Sequence, residues 1–302
     1  MLSASTVPGL TSVIVVTANS GPISLRCVNN VLGSKAPLEL TVVDNASSDG
    51  QLAEIERLHG TDSRLHIQRN VENVGFGPAA NQAASASEGE WLLVLNPDCL
   101  VDSDTIENLC SIARSQARAG IIGAHIVDKH GHRANANRRR DPTLLRVLMS
   151  LSGLARLERR WPSLAGIDMP DLPQAPETEH VDAVSGACLF MRRDVFAAIG
   201  GFDEGYFLHC EDLDLCRRVR DAGFEVCYAD SIVVVHEQGS SSHRRALFVA
   251  RHKHLGMWRY FRKFDPAAQN PVLRGLVWCG IWTHFWLLAP LKAWQQRRQQ
   301  SI

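Results

Sequence analysis

The stretch SVIVVT at residues 12–17 is a continuous run rich in β-branched residues, which is typical of a buried strand. A helical pattern follows at residues 22–32, and LELTVV at residues 38–43 is a second apolar run that leads into Asp44. Two strands joined by such a helical connection pair in parallel. The start of the chain therefore predicts a strand–helix–strand unit with Asp44 at the carboxyl end of its second strand.

The alternation of strands and helices continues beyond this unit. It predicts an α/β fold with a Rossmann-like, mixed and mainly parallel sheet flanked by helices. Ligands of such sheets bind at the carboxyl ends of the strands, where Asp44 and Asp98 both lie. Further helices are predicted at residues 51–58, 78–87, 104–116, 193–199 and 211–222, and further strands at residues 65–68, 91–95, 120–127, 187–191 and 231–235.

Residues 128–180 interrupt the alternation and are predicted to be a variable excursion from the body. Residues 128–142 are polar and basic, which favours a mobile loop in which the run Arg138-Arg139-Arg140 is solvated. Residues 143–158 have an apolar helical pattern, and four prolines lie within residues 162–176.

Charge is unevenly distributed along the chain. Lys plus Arg and Asp plus Glu each number 32, so the formal net charge is zero. Eleven of the bases but only one acid, Asp265, lie within residues 238–302, together with five of the seven tryptophans. We therefore divide the chain into a body at residues 1–242 and a basic, tryptophan-rich helical tail at residues 243–302. A nucleic-acid partner would explain the tail but not the acidic body.

The tail contains the apolar segment GLVWCGIWTHFWLLAPL at residues 275–291. Its length is at the short limit of the roughly 17 to 25 residues that cross a bilayer. Clustered tryptophans with basic residues on both sides favour an anchor on the surface of an anionic membrane. The alternative is an apolar helix packed on the core of the body.

The cysteine pattern bears on the cellular compartment. The eight cysteines include no C-x-x-C pair, and MLSASTVPGL at residues 1–10 lacks the basic start and apolar core of a secretory signal. Reduced thiols and a cytosolic compartment are predicted. His252 and His254 have no cysteine or carboxylate partners nearby in sequence, which favours solvated histidines over a zinc site.

Polar motifs follow three of the predicted strands. Asp44 can accept the imide N–H of uracil or thymine, and the alternative is an Asx-turn. Asn96-Pro97-Asp98 holds a carboxylate where it can share a divalent ion with a phosphate ligand, although a simple strand-end turn explains it equally well. His236 follows the last strand, and a lone histidine is more often structural than a ligand.

GFGPAA at residues 75–80 fits the dinucleotide fingerprint G-x-G-x-x-A. That fingerprint must follow the first strand of the sheet, which this stretch does not, so an NAD site is not predicted. The glycines form a tight turn, or they allow close approach to a sugar or nucleotide.

The most informative stretch is GGFDEGYFLHCEDLDLCRR at residues 200–218. Acids at the start of the helix and bases near its end complement the helix dipole, which alone would explain the pattern. Apolar and aromatic residues just before Glu211 and Asp212 indicate instead that these carboxylates are partly desolvated, as a general base requires.

Seven motifs occur in a fixed order over residues 11 to about 242: VVTANS, VVDNASSDG, NVGFGPAAN, LNPDC, SGACLFMRR, GGFDEGYFLHCEDLDLCRR and VVHEQGSS. This ordered set resembles family 2 of the nucleotide-sugar glycosyltransferases, which have the GT-A fold. Within that family the chain is similar to the rhamnosyltransferase-like branch. The resemblance implies a deoxythymidine-diphosphate sugar donor such as dTDP-rhamnose, and a glycan or lipid-linked glycan acceptor.

The resemblance also implies residue roles. Asp212 matches the catalytic base, and Glu211 beside it contacts acceptor or donor. Asp98 and His236 match the positions that bind Mg²⁺ or Mn²⁺, and Asn96 stands where the family usually has an aspartate. The implied donor-binding residues are Thr17, Asn19, Asp44, Asn45, Asn73, Gly75, Phe76, Asn81, Asn96, Asp98 and Gly186.

These roles predict an inverting, metal-dependent sugar transfer in cell-envelope polysaccharide synthesis. The enzyme is expected to be cytoplasmic and peripheral on the inner face of the cell membrane, with the tail as its anchor. Arg138-Arg139-Arg140 then has a second interpretation as a grip on an acceptor pyrophosphate, since guanidinium groups suit phosphate oxygens.

Two alternatives remain open. A catalytically dead nucleotide- or glycan-binding protein is favoured if Asn96 abolishes metal binding. A sugar-phosphate nucleotidylyltransferase would need a Gly- and Arg-rich phosphate loop after the first strand, but residues 17–21 contain no Arg or Lys.

Overall fold

The computed structural model describes residues 6–134, 136–169, 178–237 and 245–300. Among these residues the strands are β1 (Val7–Thr17), β2 (Leu38–Asn45), β3 (Leu65–Asn70), β4 (Gly89–Leu95), β5 (Cys99–Leu100), β6 (Ala119–Val127), β7 (Arg138–Arg139), β8 (Glu179–His180), β9 (Ala183–Val184), β10 (Cys188–Arg192) and β11 (Glu225–His236). The α-helices are α1 (Ile23–Leu32), α2 (Gln51–His59), α3 (Phe76–Ala86), α4 (Thr105–Ser115), α5 (Leu144–Ser152), α6 (Arg193–Ala198), α7 (Glu211–Asp221), α8 (Ala246–Phe264) and α9 (Pro271–Gln300).

The central sheet is mixed, with strand order β3-β2-β1-β4-β10-β6-β11-β5 and with β8 paired to β11. Strands β1 to β4 are parallel to one another, β10 is antiparallel to β4 and β6, and β11 is parallel to β6. The predicted α/β class, with a mainly parallel sheet flanked by helices, is confirmed.

The core has two apolar layers, one on each face of the sheet. Val13 and Val15 point into the layer under α1, α2 and α4, whereas Ile14 and Val16 point into the layer that contains the alanines of α3. Successive side chains of a strand alternate between faces, so a strand buried on both sides has a continuous apolar sequence. This explains why the run at residues 12–17 marks the centre of the sheet.

Strand β11 begins at Glu225, six residues before the predicted start at residue 231. Val226 and Cys227 pair with Ile121 and Ile122 of β6 and are buried, although Tyr228 and Asp230 interrupt the apolar run. The prediction was too short because tertiary pairing with β6 decides this boundary.

The prediction of a mobile, solvated loop at residues 128–142 is wrong for residues 137–141, whereas residues 129–132 are exposed as expected. Asn137 and Arg138 are 0% and 2% exposed. The Asn137 side chain accepts a hydrogen bond from Ile126 N at 3.0 Å and donates one to Ile126 O at 2.8 Å, and β7 pairs with β9. Polar residues are stable here because each finds a buried partner. The prolines at positions 170, 173 and 176, and residues 238–241 of the motif VVHEQGSS, lie outside the described residues.

Helix α8 packs on the body. Tyr260 is buried and its hydroxyl donates to Asp141 Oδ1 at 3.1 Å, while Lys263 Nζ donates to Asp203 and Asp214 at 2.7 and 2.6 Å. His254 is 3% exposed, so its predicted solvation is wrong. The division between residues 1–242 and 243–302 stays a prediction, and the structure adds that the first tail helix is tied to the body by ion pairs.

Helix α9 is largely exposed. Trp286 and Leu287 are 68% and 75% exposed, whereas Phe285 is 5% exposed and packs on His254 of α8. The segment Pro271–Trp294 is long and apolar enough to cross a membrane. The structure therefore does not support the alternative of a helix packed on the core.

Candidate functional site

The carboxyl ends of β1 and β2 form one side of the site. Thr17 lies opposite Asp44 in the parallel register, and Asp44 is 7% exposed. Asp44 Oδ1 accepts a hydrogen bond from Ser47 N at 3.2 Å, and Asn19 Oδ1 accepts one from Ser48 N at 2.8 Å. The two strand-end loops thus interlock, and Asp44 bonds the backbone of its own loop three residues on, not two as in the alternative of an Asx-turn.

Gly75 brings the next loop against this corner. Its φ is +96°, and a Cβ there would lie 2.8 Å from the carbonyl oxygen of Phe207. Asn45 Nδ2 donates to Gly75 O at 2.9 Å, and Asn73 Oδ1 accepts from Gly75 N at 3.0 Å. A residue with a Cβ would clash at position 75, because the backbone at Phe207, in the segment that leads to α7, lies directly against it.

Asn81 and Phe76 connect α3 to that same segment. The amide of Asn81 accepts from Phe202 N at 2.8 Å and donates to Phe202 O at 2.9 Å, and the Phe76 ring meets the Phe202 ring edge-on at 5.8 Å. Both side chains thus have structural partners. Their donor-binding role stays a prediction.

Asp98 and His236 meet although 138 positions separate them in sequence. His236 ends β11 and pairs with Cys99 of β5, which places its Nε2 2.9 Å from Oδ1 of Asp98. Both side chains are 16% exposed. A carboxylate and an imidazole that converge in this way fit a divalent ion whose other ligands are phosphate and water oxygens. The Cys99 thiol lies within the same cluster and donates to Ala187 O at 3.4 Å.

A two-residue segment joins this cluster to the predicted base. Asn96 N donates to Ala187 O at 2.9 Å, and Gly186 N donates to Oδ2 of Asp212 at 3.1 Å. A Cβ on Gly186 would lie 3.0 Å from Cβ of Asp212, so glycine permits the close approach. Asn96, Gly186 and Asp212, predicted separately as site residues, are therefore linked through the backbone of residues 186 and 187.

Asp212 forms an ion pair with Arg139, a largely buried arginine that the sequence did not identify as its partner. Arg139 Nη2 lies 2.5 Å from Asp212 Oδ2, and the two side chains are 12% and 14% exposed. Leu213 N donates to the other carboxylate oxygen at 2.8 Å. Burial acts to raise the pKa of Asp212, but the charge of Arg139 outweighs it, so this pKa lies below its ordinary value of 3.8. The carboxylate is ionised and fixed in position at neutral pH.

Glu211 is in the opposite electrostatic situation. It is 9% exposed, and its Oε2 has no hydrogen-bond partner among the described residues. Burial, followed by the charge of Asp212, raises the pKa of Glu211 well above 4.5. Adjacent carboxylates thus divide into one ionised group and one that retains its proton, a separation characteristic of acid–base sites.

The turn before this pair is strained. His209 and Cys210 both have φ of +68°, a left-handed conformation that non-glycine residues rarely adopt. Burial, followed by the charge of Lys253, lowers the pKa of His209 to about 4, so this imidazole is neutral. The sequence carries no signal for this turn beyond the aromatic residues before it.

The three consecutive arginines at residues 138–140 all have acidic partners. The prediction that their side chains are solvated is therefore wrong. Arg138 pairs with Glu179, Arg139 with Asp212, and Arg140 with Glu158 at 3.1 Å. Arg139 also donates to Val184 O. The alternative interpretation as a diphosphate grip stays untested, and in this structure the three charges are already compensated.

A transferase of nucleotide-activated sugars is the class that fits such a sheet and such a cleft. Residues 8–257 match the model of the family described as Glycosyltransferase like family 2, and the chain belongs to that family. The family predicted from the seven ordered motifs is thereby confirmed, and the chain is a transferase.

Curated relatives place the chain near the rhamnosyltransferases. It is 30% identical over 272 residues to the N-acetylglucosaminyl-diphospho-decaprenol L-rhamnosyltransferase of Mycobacterium tuberculosis, covering 82% of this chain and 86% of that protein. It is 25% identical over 171 residues to the rhamnosyltransferase WbbL of Escherichia coli K12, covering 54% of this chain and 60% of that protein. The predicted similarity to the rhamnosyltransferase-like branch is confirmed.

Solved structures share the fold at lower identity. A mannosyltransferase from Pyrobaculum calidifontis, in complex with GDP-Man and Mn²⁺, has a TM-score of 0.58 at 18% identity and covers 96% of this chain and 74% of that one. TarS 1–349 of S. aureus, in complex with UDP, has a TM-score of 0.52 at 16% identity and covers 87% and 69%. These neighbours confirm the GT-A-type fold.

Proposed function

We propose that this chain is an inverting, metal-dependent glycosyltransferase of cell-envelope polysaccharide synthesis. It moves a sugar from a nucleoside diphosphate to a hydroxyl group of a lipid-linked glycan. The observation that carries this proposal is the segment Gly186–Ala187, which bonds the Asn96 backbone on one side and the Asp212 carboxylate on the other. A donor diphosphate and an acceptor hydroxyl are thereby brought to the two sides of one cleft.

Asp212 removes the proton from the acceptor hydroxyl as that oxygen attacks the anomeric carbon. Arg139 keeps this carboxylate ionised and fixed, and Glu211 retains its own proton. One ionised carboxylate suits a single displacement, which inverts the configuration at the anomeric carbon.

Asp98 and His236 would hold Mg²⁺ or Mn²⁺. When bound, the ion supplies positive charge that stabilises the departing nucleoside diphosphate. Asn96, at the first position of the metal signature, contributes an amide and no charge, so Asp98 provides the only carboxylate that the motif offers. The 2.9 Å approach of Asp98 to His236 supports this ligand pair.

The donor is dTDP-rhamnose in this proposal. The support is the name of the 30% identical relative, an L-rhamnosyltransferase, together with the strand-end carboxylate of Asp44, which can accept the imide N–H of thymine. That relative's name also specifies a sugar diphosphate on decaprenol, which supports a lipid-linked acceptor. The exposed apolar helix α9 would place the enzyme on the cytoplasmic face of the membrane that contains this acceptor.

Thermal stabilisation by nucleotides tests the donor and the metal together. The protein is melted with dTDP, UDP or GDP, each with Mn²⁺ or EDTA, beside Asp98→Ala. Asp128→Ala is the matched control, since Asp128 also bonds a histidine, His132, but on an exposed loop. A ligand at 100 times its Kd adds about 2.7 kcal/mol of stability. We expect stabilisation by dTDP that requires both Mn²⁺ and Asp98.

Other outcomes distinguish the alternatives. A preference for UDP or GDP would contradict the donor, and stabilisation by a nucleotide without metal would contradict the metal site. No response to any nucleotide would favour a catalytically dead glycan-binding protein. Where transfer is observed, NMR of the product gives the anomeric configuration, and a retained configuration would exclude the single displacement.

A further inference from the structure

Helix α5 and the 3-10 turn after it expose a row of leucines. Leu145, Leu148 and Leu151 are 58%, 50% and 63% exposed, and no residue of α5 is buried. The row continues with Leu154 and Leu157, which are 41% and 44% exposed. The spacing of three residues places Leu145, Leu148 and Leu151 within about a third of the circumference of α5. Soluble proteins rarely leave a contiguous apolar surface of this kind in water unless a partner covers it.

Basic and aromatic residues border the leucine row at its carboxyl end. Arg156, Arg159 and Arg160 are exposed, and no carboxylate within the described ranges forms an ion pair with them. The Arg160 guanidinium lies 5.9 Å from the ring of Trp161, which is 52% exposed. Leucines on one side with arginine and tryptophan at the edge are typical of helices that lie in the interface of an anionic bilayer.

The start of α5 is hydrogen-bonded to the turn that precedes helix α9. Asp265, between α8 and α9, accepts a hydrogen bond from Leu144 N at 2.7 Å through Oδ2 and one from Ala267 N at 2.9 Å through Oδ1. An apolar crevice of about 400 Å³ separates α5 from Pro266, with Leu145 and Leu148 in its wall. Helix α5 therefore starts at the point where the chain turns into the exposed apolar helix.

We propose that residues 144–161 form a second membrane-binding surface, which lies in the interface of a bilayer containing anionic lipid. This inference rests on the membrane attachment by α9 in the proposed function and extends it to a different part of the chain. The unpaired arginines favour anionic lipid over a neutral surface. Strand β7, five residues before α5, carries the Arg139 that holds Asp212. Attachment through both α5 and α9 would fix the orientation of the catalytic base relative to the membrane.

Site-specific fluorescence in the full-length protein tests this surface. Seven of the eight cysteines are buried and Cys279 is exposed, so Cys279→Ser provides a background for labelling. A polarity-sensitive fluorophore is attached through Leu151→Cys on α5, through Leu287→Cys on α9, or through Leu58→Cys. Leu58 is the matched control because it is a 45% exposed leucine on α2. Vesicles contain phosphatidylglycerol with phosphatidylcholine, or phosphatidylcholine alone.

With the anionic vesicles we expect the label at position 151 to shift its emission to shorter wavelength and to be shielded from an aqueous quencher, while the label at position 58 does neither. Binding to phosphatidylcholine alone is expected to be at least about tenfold weaker, since three arginines lose their attraction. The double substitution Leu148→Glu with Leu151→Glu should weaken binding to anionic vesicles by about tenfold or more, and Leu58→Glu should not.

Three results would overturn the inference in distinguishable ways. If the label at position 151 stays in water while that at position 287 inserts, α5 lies off the membrane and attachment by α9 stands. If neither label inserts, the membrane attachment in the proposed function fails as well. If the label at position 151 is shielded without vesicles and light scattering gives twice the monomer mass, a second copy of the chain covers the surface.

Discussion

Arg139 Nη2 lies 2.5 Å from Oδ2 of Asp212, and the two residues come from parts of the chain 73 positions apart. Arg139 lies on a two-residue strand of the excursion, and Asp212 lies in the first turn of α7. The buried ion pair explains how a desolvated carboxylate beside Glu211 remains ionised. It also brings the excursion into direct contact with the predicted base.

Replacement of the base gives the largest expected loss of activity. Asp212→Asn should lower kcat by about 10² to 10⁴-fold, the range that a general base contributes. The amide oxygen can take the place of Oδ2 and still accept from Gly186 N and Arg139, and only the bond from Leu213 N to Oδ1 is lost. The fold and the nucleotide-induced thermal shift should therefore persist. Asp221→Asn is the matched control on the same helix, since Asp221 pairs with Arg217 and is 51% exposed. Full transfer activity in Asp212→Asn would remove Asp212 from this role.

Arg139→Gln should change the pH dependence. Arg139 lowers the pKa of Asp212, so its removal raises that pKa and the base becomes protonated at a higher pH. The acid limb of the pH profile of kcat/KM should therefore move to higher pH in Arg139→Gln. In Arg139→Lys it should lie between the positions found for Arg139→Gln and for wild type. Loss of one partner of a buried pair should also cost about 3 kcal/mol of unfolding free energy. An acid limb that stays in place, as in the exposed control Arg57→Gln, would show that Arg139 is only structural.

Glu211 should make stability depend on pH. Its pKa in the folded protein lies above 4.5, so its contribution to stability is complete below that pH and is lost as pH rises toward the folded pKa. Glu211→Gln mimics the protonated form and avoids this loss. The Tm of the variant relative to wild type should therefore rise between about pH 5 and about pH 8. Glu107→Gln, on α4, is the control, and a difference that does not vary with pH would contradict the assignment.

His236→Ala should weaken metal binding. The concentration of Mn²⁺ needed for half-maximal thermal stabilisation with dTDP should rise at least about tenfold, because even residues outside the ligand shell have effects of that size. His132→Ala is the control, since His132 Nδ1 lies 3.1 Å from Asp128 on an exposed loop. An unchanged Mn²⁺ requirement would mean that His236 only orients Asp98 by a hydrogen bond.

The sequence predicts those parts of the site that follow from strand order. Asp44 and His236 come directly after apolar runs and Asp98 three residues after one, and the strands of one sheet bring such positions to a common edge. The fold class and the start of α7 were also predictable, because periodic apolar patterns are local signals that the sequence contains.

The parts that the sequence does not predict depend on distant polar partners. Arg139 and Asn137 lie in a polar stretch without periodicity, and only Asp212 and the Ile126 backbone make their burial favourable. His254 is buried because Ala250 O and His284 bond its two ring nitrogens. No local pattern encodes the contact of Arg139 with Asp212 or that of His254 with His284, so basic composition alone suggested solvation.

The exposed face of α9 should account for most of the membrane affinity of the tail. Leu276 and Leu287 are 64% and 75% exposed, so Leu276→Glu with Leu287→Glu should reduce co-sedimentation with anionic vesicles while leaving Tm unchanged. Phe285→Glu should instead lower Tm, because Phe285 is 5% exposed against His254. Leu58→Glu on α2 controls for added negative charge. Co-sedimentation that is equal in wild type and the double variant would place the affinity elsewhere, and a loss of Tm in the double variant would mean that α9 is covered in solution.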